Sequence, residues 1–133
     1  MACEATMYAK ELLAEGTLRH ADREDRRFKG ENLAMRGAGG LTADNYVPEL
    51  QWYEGEIGYY DWDLDWHEEG ASFGDIGHFT QMVWRSTTAL GCGVATKELQ
   101  FYNLAYSVCR YDPAGNVTNA GYFAANVMEL KPM

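Results

Sequence analysis

This chain of 133 residues is 47% hydrophobic and 14% aromatic, which fits one globular domain over residues 1–133 and argues against intrinsic disorder. Its 11 basic and 20 acidic residues give a formal net charge of −9, so nucleic acid and anionic membrane surfaces are repelled on average. No apolar run approaches the roughly 18 residues of a membrane span, and no transmembrane segment is predicted.

Residues 2–15 predict a helix. Ala2, Ala5, Ala9, Leu12 and Leu13 recur at helical spacing, Met7 and Tyr8 add bulk, and Gly16 supplies the stop. This polar start shows no secretory leader, which leaves a processed or deleted leader open. In the loop "RHADREDRRFKG" that follows, residues 19–29 hold five of the chain's bases. "GENLAM" then runs into a glycine-rich break, "RGAGG".

Thr42 is a helix-start residue, and Pro48 suits a first helical turn. Leu50, Tyr53, Ile57 and Tyr60 are spaced for one helical face, which Gly55 and Gly58 weaken. Residues 61–77 read as a loop, and residues 53–75 carry eight acids without a lysine or arginine. A short helix is predicted from His78 to Trp84.

The last third reads as strands. Tyr102, Leu104, Tyr106 and Val108 alternate with Asn103, Ala105 and Ser107, giving one apolar face and one small or polar face. "GCGVATK" is the partner strand, joined through a turn near Lys97 and Glu98, and "DPAGN" is a turn by composition. "GYFAANVMEL" adds a last strand. Helices before strands predict an α+β protein.

The three histidines are His20, His67 and His78. An open zinc site needs about three protein ligands, and neither HExxH nor CxxC is present. His78 therefore reads either as a packed helix-start residue or as part of a site assembled from distant segments. Asp61, Asp63 and Asp65 begin like a calcium loop, but Trp66 and Ser72 stand where glycine and glutamate are needed. A solvated acidic loop fits better. Asn116-Val117-Thr118 is a glycosylation sequon, with a structural asparagine as the equal alternative.

Several segments together resemble the CAP superfamily of cysteine-rich secretory, antigen 5 and pathogenesis-related proteins. "GHFTQMVWRST" is similar to its first signature and "YSVCRYDPAGNV" to its second, with Ser107 where a large apolar residue is usual. "GENLA", residues 30–34, is a third match in order.

The resemblance implies a three-layer α-β-α sandwich with a cleft holding two histidines and two glutamates. His20, Glu31 and His78 match three of these. Either Glu56 or Glu54 supplies the fourth, with Glu56 preferred because Ile57 and Tyr60 resume the family pattern. On a helix the two point about 200° apart. The family's usual first helix has no match here, which implies an N-terminally shortened sandwich, natural or by truncation, and in the natural case a homodimer would cover the apolar surface thereby exposed.

Some family members hold zinc at the histidines, so His20 and His78 are the implied ligands for zinc or another divalent cation. No cofactor is required for folding. Cys92 and Cys109 match a disulfide of secreted relatives, which implies an extracellular location, and Cys3 is left over as a buried small residue. The implied function is binding of a small lipid (a sterol or fatty acid) or of a protein partner, as a defence or interaction module. The lipid-binding candidates are Tyr59, Tyr60, Trp62, Leu64, Trp66 and Phe73. The alternative is a zinc-dependent hydrolase in the same cleft, with Ser86 as a serine near His78.

Overall fold

A computed structural model describes residues 1–63, 74 and 76–129. Helix α1 (Ala2–Glu15) forms because Ala5, Tyr8, Ala9 and Leu12 make one buried stripe at helical spacing. Gly16 ends it in the left-handed region (φ 73°), where its N–H reaches the Leu12 carbonyl. Cys3 falls off the buried stripe and is exposed, contrary to the expectation that it would be buried.

Strands β1 (Gly30–Ala38), β2 (Ala89–Glu98) and β3 (Asn103–Asp112) form one antiparallel sheet in the order β1-β3-β2. The glycine-rich break predicted after "GENLAM" begins later than expected, because β1 continues through Arg36 and Gly37 to Ala38. The β2–β3 turn also lies later than Lys97 and Glu98, and is closed by the Leu99 N–H donating to the Tyr102 carbonyl.

As the central strand, β3 is buried on both faces rather than on one. Tyr106 and Val108 pack with Leu33 and Ala95 beneath the α1 stripe. Ala105, Cys109 and Tyr111 pack on the other side with Ala34, Leu41, Tyr46 and Trp52. Each fully buried aliphatic side chain in such a layer contributes about 1.5–3 kcal/mol. Gly91 and Gly93 let α1 lie close on β2: a Cβ at Gly93 would stand 2.2 Å from Thr6 Oγ1.

Helix α2 (Pro48–Glu54) starts with proline in its first turn, where a backbone N–H has no helical partner to lose. Thr42 is not its cap. Thr42 instead exchanges two hydrogen bonds with Asn45 in the preceding turn. The buried face of α2 is Pro48 and Trp52, whereas Leu50 is exposed. A 3-10 turn (Ile57–Tyr59) follows, then α3 (Gly77–Val83).

The final segment is a helix, α4 (Tyr122–Asn126), and not the predicted strand. Phe123, Asn126 and Val127 are buried while the two residues between Phe123 and Asn126 are exposed, an i, i+3, i+4 pattern that helical spacing gives and strict alternation does not. Phe123 and Val127 pack with Trp84, Ile76 and Phe79. Asn126 ties α4 to the end of α3, accepting from Ser86 N–H at 3.0 Å and Ser86 Oγ at 2.6 Å. With α1 on one face of the sheet and α2 and α3 on the other, the architecture is the α-β-α sandwich of an α+β protein.

Candidate functional site

The sheet ends where β1 begins and β3 finishes, and side chains from both helical layers meet there. Along β1, Glu31 and Leu33 share the face covered by α1, while Asn32 and Ala34 share the other. Glu31 pairs directly with Arg110 in the β1–β3 register.

The Glu31 side chain is fully buried. Its Oε1 accepts from Ala21 N–H at 3.1 Å and is bonded to His20 Nδ1 at 2.8 Å. Its Oε2 accepts from Arg110 Nε at 3.2 Å, and Arg26 Nη1 stands 3.6 Å from Oε1. Burial alone would raise this carboxyl's pKa. The hydrogen bonds from His20 and Ala21, with the charges of His20 and Arg110, outweigh burial and hold it below the ordinary glutamate range. Arg110 is itself buried and lies over the Tyr8 ring, 5.2 Å from its centroid.

The second pair comes from the other face. Glu56, between α2 and the 3-10 turn, has Oε2 2.7 Å from His78 Nδ1. Its Oε1 accepts from the backbone N–H groups of His78 and Phe79, both at 3.0 Å. The first turn of α3 is thus capped by a carboxylate from a distant segment. Glu54 is exposed, and it is Glu56 that faces His78. Trp52 stacks on the His78 ring at 5.5 Å and 7° between planes.

Three polar side chains hold α3 in place. Asn32 Nδ2 donates to the His78 carbonyl at 3.2 Å and to Tyr111 Oη at 3.0 Å. Burial, only partly offset by that Asn32 bond, pushes the Tyr111 pKa upward. Asn116 accepts from Thr80 Oγ1 at 2.6 Å and donates to the Gly77 carbonyl at 2.9 Å. With both amide groups so used, Asn116 holds the α3 start in place, in line with the structural reading of this asparagine. Gln81, also buried, joins Thr87 to the Gly115 N–H.

His20, Glu31, Asn32, His78 and Asn116 line one cavity of about 210 Å³. No hydrogen-bond partner for Nε2 of either histidine occurs among the described residues. A ring whose Nδ1 is held by a carboxylate is oriented as metal-binding imidazoles are, so the donor set fits a divalent cation at Nε2. It does not form a closed shell. Among the described residues, the group of three ligand atoms within 4.8 Å of one another is Glu49 with Cys92 and Cys109. Those two sulfurs are bonded to each other in a disulfide between directly paired β2 and β3 residues, which leaves no thiolate to bind metal.

Of the six lipid-loop candidates, Tyr60 is buried in the core with Phe79, while Tyr59 and Trp62 are exposed. Leu64, Trp66 and Phe73 lie outside the described residues, as do His67 and Asp65. Asp61 and Asp63 are exposed, and the Asp63 N–H donates to Asp61 Oδ1 at 3.0 Å. Arg110, Arg26 and the Trp52 stack were not predicted as parts of the site. The direct cross-strand opposition of Glu31 and Arg110 is the signal for the first of these, and it becomes visible only once the register is known.

The pattern of the cysteine-rich secretory protein family (CAP) matches residues 2–111. The human Golgi-associated plant pathogenesis-related protein 1 is 34% identical over 131 residues, covering 96% of this chain and 75% of that one. Secreted protein RBT4 of Candida albicans is 38% identical over 136 residues, covering 93% of this chain but 32% of its own length. This chain thus spans three quarters of the first and about a third of the second. A crystal structure of NaASP2 with Zn2+ superposes with a TM-score of 0.63 at 28% identity, covering 87% of this chain and 60% of that one. The structure of BmVAL-1 shares the fold with a TM-score of 0.66 at 23% identity, covering 87% and 57%. The signatures of β1, α3 and β3, the disulfide and the α-β-α layering agree with these matches: the chain belongs to the CAP family.

Proposed function

We propose that this chain is a secreted binding module that takes a small lipid, a sterol or fatty acid, in an apolar cavity next to the histidine cleft. One observation carries this reading. Tyr53, Ile57, Trp62, Phe79, Val83 and Met128, together with the single charged residue Glu129, line a cavity of about 360 Å³, with exposed Trp62 among them. Apolar walls of that extent suit a hydrocarbon body, and aromatic rings supply large contact area at small entropic cost. Phe79 adjoins His78 in α3, so the apolar cavity and the polar cleft share one short helix. The Cys92–Cys109 disulfide and the secreted relative support an extracellular location.

Saturable binding of cholesterol or palmitate, followed by tryptophan fluorescence, is the test. Trp62→Ala is expected to weaken binding about tenfold and His78→Ala to leave it unchanged. A folded protein that binds neither lipid saturably overturns the reading.

Zinc-dependent hydrolysis is the alternative, favoured by the carboxylate-held histidines. A divalent cation bound by His20 and His78 would supply Lewis acidity and an acidified water. The chain's own groups do less for it: Ser86 Oγ is committed to Asn126, and the cleft residues make two separate pairs. Zinc-restored turnover that His78→Ala abolishes would favour hydrolysis over binding alone.

A further inference from the structure

A cavity of about 370 Å³ opens beside the cleft and shares His20, Glu31 and Asn116 with it. Its lining is basic, although the chain carries a net charge of −9: Arg23, Arg26 and Lys29 all contribute. Glu31 is the carboxylate on its wall, and its oxygens are already engaged by His20, Ala21 and Arg110.

The cations are incompletely paired. Arg26 Nε is buried without a hydrogen-bond partner, and Nη1 reaches only to 3.6 Å from Glu31. A buried guanidinium N–H left unbonded is costly. No carboxylate among the described residues lies within 4 Å of Arg23, whose guanidinium sits 5.7 Å from the Phe28 ring centroid. Lys29 Nζ has Glu4 Oε2 at 3.9 Å.

The backbone here is also unusual. Arg27 (φ 53°) and Phe28 (φ 59°) are consecutive non-glycine residues in the left-handed region, a strained arrangement. The Phe28 N–H donating to the Arg23 carbonyl at 2.7 Å closes this turn, which brings Arg23, Arg26 and Lys29 to one cavity.

We propose that this basic cavity is a subsite for a phosphomonoester, held by Arg23, Arg26 and Lys29, with the rest of the ligand passing His20 into the histidine–glutamate cleft. Guanidinium forks match the oxygens of a phosphate and bond it bidentately. A phosphomonoester carries about −1.5 to −2 charges at neutral pH, which suits three cations better than a single carboxylate does. The subsite uses a different cavity from the apolar one at Trp62, and stands or falls without it.

Inorganic phosphate titrated into the full chain at constant ionic strength tests this, read by the 15N resonances of the arginine Nε–H groups. A saturable shift at Arg26 is expected, weakened about tenfold by Arg26→Gln and about threefold by Arg23→Gln. Arg27→Gln is the control, because Arg27 lines a different cavity, with Glu4, and it should change nothing. Arg23 is exposed, so its variant remains informative if Arg26→Gln fails to fold. A linear, non-saturating shift, or equal weakening by all three variants, overturns the subsite. Co-sedimentation with phosphatidylcholine vesicles that requires phosphatidic acid, and is lost in Arg23→Gln, identifies a lipid headgroup as the source of the phosphate. Saturable phosphate binding without co-sedimentation supports the subsite and identifies a soluble phosphate ester.

Discussion

The two histidine–carboxylate pairs of the cleft come from opposite faces of the sheet, and their carboxylates are held in different ways. Glu31 is fully buried and touches two arginines, a histidine and a backbone N–H. Glu56 is less buried, and its partners are one ring and two backbone N–H groups at the start of α3. Glu31 therefore neutralises charge inside the protein, whereas Glu56 ends a helix and aims a ring. A histidine beside a carboxylate thus has two structural origins in one cavity.

Removing the Glu31 carboxylate should have the largest effect. Glu31→Ala leaves Arg110 buried without its counter-charge, which costs about 3–5 kcal/mol, and urea unfolding at neutral pH measures it. If the cost is as small as that of a surface ion pair, Glu31 is not the charge centre described. Glu56→Ala should cost less, about 1–2 kcal/mol, because water can replace a carboxylate at a partly open helix start. The His78 ring should also lose its fixed orientation, seen as averaged imidazole NMR signals, while the His20 signals stay unchanged. Movement of both rings would mean that the pairs are coupled across the cavity.

The smallest effect should come from acid, acting at Glu31. The Glu31 carboxyl titrates lower in the folded chain than its ordinary value of 4.5. Its contribution is then complete above that value and is lost as pH falls through the folded pKa. A neutral Glu31 still fills its space, so acid costs less than the alanine substitution. Unfolding curves at successive pH values below 4.5 should show the native chain losing stability more steeply than Glu31→Gln.

Much of the fold was legible in local patterns. The α1 stripe, its glycine stop, the short α3 helix and the β2–β3 pairing follow from spacing, because helices and strands repeat on different periods. The C-terminal segment misled because Phe123 and Val127 sit in a stretch that also reads as a strand, and only packing against Trp84 selects the helix. Cys3 misled because a small apolar residue near a buried helix face need not be on it.

Family resemblance named His20, Glu31, Glu56 and His78, which form two histidine–carboxylate pairs, and the geometry of those pairs was not legible in the sequence. Local spacing gave His78 two readings, and the identity of the fourth acidic residue stayed open between Glu54 and Glu56. The turn after α2 brings Glu56 to the α3 backbone and leaves Glu54 in solvent. The sequence by itself determined the α1 helix, the short α3 helix, the β2–β3 pairing and the residue types available to the cleft, because these rest on periodicity and residue identity, while the layering was implied by the family resemblance. Only the tertiary structure decided which carboxylate holds which ring, that Arg110 neutralises Glu31, and that Arg23, Arg26 and Lys29 line one cavity. Those pairings join residues up to 79 positions apart in the chain, and no local propensity specifies a contact at that distance.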